Sequence, residues 1–439
     1  MDKIIFHIDV NSAFLSWSAL KRLQEDPASV DLRTIPSAVG GDVEMRHGVI
    51  TAKSIPAKKY GVTTGEPVVK ALQKCPELVL VPSDFPTYRK YSRKFIALLH
   101  EYTDRIEQIS IDEAWMDVTD LKPKDEKEKG EGDSPWYVRL ALEIRDEIYH
   151  RFGFTVNIGI SCNKLLCKMA SDFEKPNRVH TLFPEEIPEK LWPLPVGELF
   201  GCGHATAEKL NRIGVHTIGE AAATDPEVLQ SLLGEKGGAY IYESANGIGS
   251  DRVKAVRDEA KSFSNETTTA FDITPENYEK EAPPIIRMLS YKVAERLRKA
   301  GYRASVITVS VKTDSFQRRS RQTKLDASTD GPEKIRTTAQ KLLDELMKGK
   351  GGLFEKGRNI RLIGVGGTGL DNGTFRQVGL EEAMKALAGK ARKKENEERS
   401  RKLEEMQRRI NSKFGEHALR KGAEHMDGKG GSGRSSFPS

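Results

Sequence analysis

The alternation of apolar and polar positions marks the elements of this chain before any single residue does. Lys3–Asp9 is apolar and carries Ile and Phe, which predicts a buried strand, and Ser12–Leu23 sets Phe14, Leu15, Ala19, Leu20 and Leu23 at helical spacing. Glu107–Thr119 (EQISIDEAWMDVT) alternates as a hairpin, with Ile109, Ile111, Ala114 and Met116 as the expected inward positions. Phe154–Ile160 is a third strand. It leads into a short helix over Asn163–Phe173, where Lys164 and Lys168 share one face at i, i+4, and then into a turn at Lys175-Pro176-Asn177. Leu199–Ala223 holds two short amphipathic stretches around Gly201, Gly203, Gly214 and Gly219, a small helical unit. Phe263–Leu370 predicts strands near Ser305–Lys312 and Ile360–Val365 and helices near Ile285–Lys299 and Glu333–Met347. The charged run 121–134 has little to bury and reads as a solvated loop; 248–262 is polar and basic, suited to a tether; 389–415 has the composition of an exposed charged helix.

Composition narrows the class. A length of 439 residues suggests about three domains. With 37% apolar and 31% charged residues the chain can build cores, but it has no run of about 18 apolar residues able to span a bilayer. Ile4-Ile5-Phe6 is interrupted at once by His7 and Asp9, so no secretory signal is expected, and the location expected is cytoplasmic. Cys75, Cys162, Cys167 and Cys202 form no Cys-x-x-Cys pair, which argues against a disulfide framework or a zinc site. Net charge is +6, but it is unevenly placed: −2 over residues 1–120, −5 over 121–250, +8 over 251–370 and +5 over 371–439. An acidic front half joined to a basic back half suits a polyanionic partner, although a solvated surface would also account for it.

The candidate chemistry lies at strand ends. Asp112 and Glu113 are adjacent in the hairpin, and Asp9 ends the first strand. If strand and hairpin are neighbours, three carboxylates meet at one sheet edge, an arrangement that hard divalent cations make favourable. Two magnesium ions in such a site serve phosphoryl or nucleotidyl transfer. The plainer alternative is that Asp9 caps the Ser12 helix and Asp112-Glu113 decorates a turn.

Wording adds what the carboxylates leave open. HIDVNSAF at residues 7–14, GVITAKSIPAKKYGV at 48–62, SIDEAWMDVT at 110–119 and GISCNKLLCKMASDFEKPN at 159–177 resemble, in order, the motifs of Y-family translesion DNA polymerases, the bacterial DNA polymerase IV branch above all. The resemblance continues to about Leu370. It implies an α+β right-hand polymerase: a palm of mixed sheet plus helices (1–18 and 80–175), small fingers (19–79), a helical thumb with a helix-hairpin-helix (176–247), a linker (248–261), an α/β little finger that binds DNA (262–370) and a charged tail (371–439). It implies a low-fidelity DNA-directed DNA polymerase, a nucleotidyltransferase of DNA repair and translesion synthesis, acting as a monomer on primer–template DNA and deoxynucleoside triphosphates.

By the same resemblance Asp9, Asp112 and Glu113, with the carbonyl of Val10, would hold two Mg²⁺ ions. Phe14 would be a steric gate under the sugar, against the alternative of simple core packing. Lys175 would reach the triphosphate, with Lys168 a supporting or DNA-facing cation. Gly201 and Gly203 would let backbone amides approach a phosphate. Arg318, Arg319, Arg321 and Lys324 would contact DNA from the little finger. Gln377 and Leu380, followed by the atypical Glu381, would dock on a sliding clamp. Where many relatives carry tyrosine and arginine in the fingers, this chain has Ile55 and Lys58; isoleucine donates no hydrogen bond and lysine lacks the guanidinium fork, so weaker nucleotide affinity is expected with Lys58 still on phosphate. Asn11 stands where polymerase IV relatives often have aspartate. The rival readings are a non-catalytic DNA-binding paralogue, a palm-type nucleotidyl cyclase and a non-enzymatic DNA-binding protein.

Overall fold

The computed structural model of the chain describes residues 3–41, 48–123, 134–256, 258–372, 401–410 and 412–414. Strand β1 (Ile5–Val10) feeds helix α1 (Ala13–Glu25). A small excursion follows: β2 (Ser37–Gly40), β3 (Ile50–Lys53), α2 (Ile55–Lys59), α3 (Val68–Lys74) and β4 (Val79–Val81), whose strands form a sheet in the order β3-β2-β4. The chain then returns through α4 (Phe85–Leu99), β5 (Ile106–Gln108), β6 (Glu113–Asp117), α5 (Trp136–Phe152), β7 (Val156–Ser161), α6 (Lys164–Asp172) and β8 (Val179–Thr181) to complete a five-stranded sheet, β5-β6-β1-β7-β8. Its centre is antiparallel and its β7–β8 edge parallel, a mixed sheet.

A helical unit comes next, with α7 (Ile187–Lys190), α8 (His204–Arg212), α9 (Ile218–Ala223), α10 (Pro226–Leu233) and α11 (Glu235–Ala245). The last unit is β9 (Ser262–Ile273), α12 (Tyr278–Lys299), β10 (Arg303–Thr313), β11 (Arg318–Thr329), α13 (Pro332–Met347) and β12 (Ile360–Asp371), an antiparallel sheet β11-β10-β12-β9 packed on two helices. Residues 401–410 are helical and reach this unit through Glu404 to Arg298 (3.4 Å) and Arg401 to Asp330 (3.8 Å). No described helix is long and apolar enough to cross a membrane.

Several local expectations shift. In the hairpin, Ala114 and Met116 are buried as expected, but Ile109 and Ile111 are only half-buried; Ile106 takes the inward place because the strand ends at Gln108 and the turn lifts the next residues out of the pleat. Helix α12 starts at Tyr278, before Pro283 and Pro284, since Tyr278 and Ala282 continue the buried face of Ile286, Leu289 and Val293 and that packing outweighs the lost amide bonds. Segment 248–256 has no helix or strand, yet it is stitched to the first sheet. The Lys254 amide donates to Glu107 (2.8 Å) and Lys3 Nζ to the Asp251 carbonyl (3.1 Å). The charged run falls largely on residues 124–133, outside the described residues.

Two contacts fix the frame around the strand ends. Gly159 lies so close beneath α6 that a Cβ there would meet the Cys167 carbonyl oxygen at 2.0 Å, so glycine is what lets this helix sit on β1 and β7. At the other side, Asp84 caps α4: its carboxylate accepts from the Thr87 amide (3.2 Å), the Thr87 hydroxyl (2.7 Å) and Lys21 (2.8 Å). Those donors, Lys21 first, hold its pKa down at about 2 from 3.8. Asp84→Ala is expected to cost about 1 kcal/mol at neutral pH. A depressed carboxylate stabilises above its unfolded pKa, so the difference should fade as pH falls from about 4 to about 2. Urea unfolding of both proteins across that range checks it.

Candidate active site

Antiparallel pairing of β1 with β6 places Asp9 directly opposite Glu113, and the Val10 amide donates to the Asp112 carbonyl oxygen (3.0 Å), tying the turn to the end of β1. Strand and hairpin are thus neighbours. The plainer reading of Asp9 as a cap does not hold, because α1 is capped by Ser12, in a left-handed conformation (φ 46°) and with no side-chain capping bond. Asp9 instead meets two ammonium groups from the α6 region: Lys175, in direct contact with it, and Lys168 at 3.7 Å. Lys168 also reaches Glu113 (3.1 Å) and Asp172 (3.3 Å), and Lys175 reaches Asp172 (2.8 Å).

The three carboxylates are therefore held differently. His7, fully buried on β1, sets Nε2 3.3 Å from Glu113, and that contact, with Lys168, holds the Glu113 pKa down at about 2 against the cost of burial. Burial lowers the His7 pKa, so the ring is neutral near pH 7. Asp112 is pushed up, first by burial and then by the charges of Asp9 and Glu113, while the Ser110 hydroxyl donates to it (2.5 Å). Burial pulls Lys168 and Lys175 down, but the surrounding carboxylates, Asp9 foremost, outweigh it and raise both. Among the described residues no three acid, imidazole or thiol groups already surround one point as a cage. The all-oxygen donor set nevertheless suits a hard divalent cation, and the ammonium groups now on Asp9 and Glu113 show how much positive charge this edge takes up.

A cavity of about 520 Å³ opens from the carboxylates toward the small sheet. Asp9, Val10, Phe14, Lys58, Asp112 and Lys175 all line it, so residues far apart in the chain are brought to one chamber. Glu113 stands beside it rather than in its wall. Phe14 is half-buried, stacked on Tyr88 (4.5 Å, 10° between planes) with Phe85 edge-on at 6.0 Å, so core packing and exposure to the cavity coexist in one ring. Ile55 and Lys58 sit on α2, where Ile55 is 48% exposed and offers only an apolar surface. Asn11 has a structural reason to be an amide: it donates to Asn157 (3.1 Å) and accepts from the Asn177 amide (3.0 Å), pinning the turn that carries Lys175. A carboxylate could not donate.

Residues 8–172 match the impB/mucB/samB family, residues 260–380 its C-terminal domain, and residues 197–249 the DNA polymerase-iota thumb domain. DNA polymerase IV of Clostridium acetobutylicum is 41% identical over 382 residues, covering 87% of this chain and 90% of that protein. DNA polymerase IV 1 of Bacillus subtilis is 36% identical over 429 residues, covering 96% and 93%. The chain belongs to the Y family of DNA polymerases. Solved Y-family structures agree: a Dbh–Dpo4 chimera superposes with a TM-score of 0.68 at 25% identity, covering 84% of this chain and 99% of its own, and DinB from Sulfolobus solfataricus with 0.52, covering 83% and 98%.

Elsewhere in this Y-family chain, Gly201 is in a left-handed conformation (φ 85°) where a Cβ would strike Tyr240, and Gly203 caps α8 with open space around it. The four basic residues grouped on β11 do not form one cluster. Arg319 and Arg321 pair with the buried Val311 and Val309 and so face the helices, where Arg321 binds Glu345 (2.8 Å); Arg318 and Lys324 lie on the opposite face, Arg318 bidentate to Glu266 (2.9 Å twice). The pleat alternates side chains between faces, which residue proximity in sequence conceals. Gln377 and Leu380 lie outside the described residues.

Some site residues were not singled out from sequence. Lys53 lines the cavity with its pKa pushed down by burial and then by Lys58, and it lies within the motif read only for Ile55 and Lys58. His7 and Asp172 are likewise inside recognised motifs, but their roles rest on contacts to β6 and to Lys175 that no local pattern signals.

Proposed function

We propose that this chain is a template-directed, low-fidelity DNA polymerase of translesion synthesis and DNA repair, adding deoxynucleotides to a primer 3′-hydroxyl. The observation that carries it is the Asp9–Glu113 cross-strand pair with Asp112 at the mouth of a cavity that also holds Phe14, Lys58 and Lys175. Asp9, Asp112, Glu113 and the Val10 carbonyl would hold two Mg²⁺ ions, which supply an activated attacking oxygen and neutralise the leaving pyrophosphate. The chain's own part is to orient and to balance charge. Ser110 sets the angle of Asp112 and Lys168 that of Glu113, Lys175 and Lys58 receive the triphosphate, and Phe14 lies under the sugar.

In this reading residues 1–18 and 80–175 are the palm, 19–79 the fingers, 176–247 the thumb, 248–261 the linker and 262–370 the little finger. Gly201 and Gly203 offer amides to duplex phosphates, and Arg318 and Lys324 offer charge from the face of the little-finger sheet away from its helices. The enzyme works as a monomer on primer–template DNA, and a clamp-docking peptide at Gln377 and Leu380 adds a tether.

Primer extension on undamaged and abasic templates with magnesium tests the whole reading, and no extension by the wild-type protein would overturn it. Lys58→Ala tests one part of it. Loss of a charged phosphate contact should raise the nucleotide KM about tenfold with kcat less affected. An unchanged KM would take Lys58 out of the nucleotide site.

A further inference from the structure

Helix α4 carries Arg89, Lys90, Arg93 and Lys94 and no acidic residue, four of the Lys and Arg in a stretch, 1–120, whose net charge is −2. A solvated helix face ordinarily interleaves the two signs. Here all four cations are exposed, and among the described residues none is paired with a carboxylate. Arg93 Nε donates to the Arg89 carbonyl oxygen (3.2 Å), and the Lys94 ammonium lies 5.9 Å from the Tyr91 ring. The stripe is held in place from beneath by Tyr88, Tyr91, Phe95 and Leu98, all buried.

Arg89 and Arg93 also form one wall of a cleft of about 430 Å³, separate from the nucleotide cavity. The opposite wall is the turn 108–111, which leads directly into Asp112. No carboxylate lines it. Its polar groups are the two guanidinium groups, Ser92, Ser110 and Gln108, whose amide bridges to the Ser110 carbonyl (2.9 Å) and the Ser92 hydroxyl (3.3 Å). Arginines one helical turn apart stand about 6 Å apart along the axis, close to the separation of successive phosphates on one strand. Guanidinium forks match phosphate oxygens in a way a point charge does not.

We propose that Arg89 and Arg93 form a binding site for two consecutive phosphates of the primer strand just upstream of its 3′-hydroxyl. The assignment rests on the polymerase reading. The strand whose end meets Asp112 is the primer, and the turn that carries Asp112 is a wall of this cleft. Lys90 and Lys94 extend the positive stripe along the helix.

Fluorescence anisotropy of labelled primer–template, measured across salt concentration, tests it. Arg89→Ala/Arg93→Ala is expected to bind about tenfold more weakly near 0.1 M salt, with the slope of log affinity against log salt smaller by about 2. Arg89→Lys/Arg93→Lys, which keeps both charges, should restore the slope. Uncharged methylphosphonate linkages at the two positions nearest the primer end should weaken wild-type binding and leave that of the alanine variant unchanged. Both side chains are exposed, so thermal melting of the variants should match the wild type. Unaltered affinity and slope would overturn the site, as would an equal methylphosphonate effect on wild type and variant. Extension by the wild-type protein in the same buffer reports separately on the polymerase reading: its absence defeats that reading, whereas unaltered binding by the variant defeats only this site.

Discussion

Asp112→Asn is expected to reduce primer extension at least about 10³-fold, since losing a carboxylate from the proposed metal site would forfeit several kcal/mol of transition-state stabilisation. The substitution is nearly isosteric. The side-chain oxygen can still accept from the Ser110 hydroxyl (2.5 Å), and the Val10 amide still has the backbone carbonyl of the same residue, so the turn should keep its shape. It removes a carboxyl group whose pKa burial already pushes up. Single-turnover extension with magnesium, beside primer–template binding in a chelator, separates lost chemistry from lost folding. Equal extension by both proteins would remove Asp112 from the site. The same comparison bears on the rivals, because a non-catalytic DNA-binding paralogue extends nothing in either form and a nucleotidyl cyclase consumes nucleotide without a primer.

Phe14→Ala should open the site to ribonucleotides. The ring is stacked against Tyr88 and flanked by Phe85 and Trp17, so it has little freedom to yield to an added oxygen. Forcing an atom into packed surroundings costs about 1–3 kcal/mol, which converts to discrimination of about 5- to 160-fold. Relative incorporation of a ribonucleoside over a deoxyribonucleoside triphosphate should rise by that factor. The ring is half-buried, so the variant also loses about 2 kcal/mol of stability, and Phe14→Val, which keeps part of the packing volume, should show the same change in sugar choice with a smaller drop in Tm. An unchanged sugar preference in both variants would leave Phe14 as core packing alone.

Much of the fold was legible where pattern and chemistry are local. The strand at Ile5–Val10, helix α1, the hairpin and α6 follow from periodicity within a dozen residues. Helices α4 and α5 leave a fainter trace, although Tyr88, Tyr91, Phe95 and Leu98 of α4 repeat at helical spacing; the basic residues between them dilute the apolar signal. Strand β11, whose Arg318–Lys324 lies in or beside a stretch that reads as strand-like, is only faintly marked, for a different reason. It is an edge strand on which arginines take even the positions facing the helices, so no apolar alternation marks it.

By itself the sequence determined the residue types of the candidate site: three carboxylates at strand ends, a ring five positions after Asp9 and lysines on and just after a short helix. Each is set by neighbours in the chain, so order and spacing suffice. Only the tertiary structure decided which groups meet. Lys175 neutralises Asp9 from 166 residues away, Lys168 reaches Glu113 across 55, Asn11 pins the turn at Asn177, and the arginines of α4 face the turn beside Asp112. Such pairings depend on how strands register and how closely helices approach a sheet. These follow from packing of the whole core, and a contact between distant positions leaves no periodic trace in either segment alone.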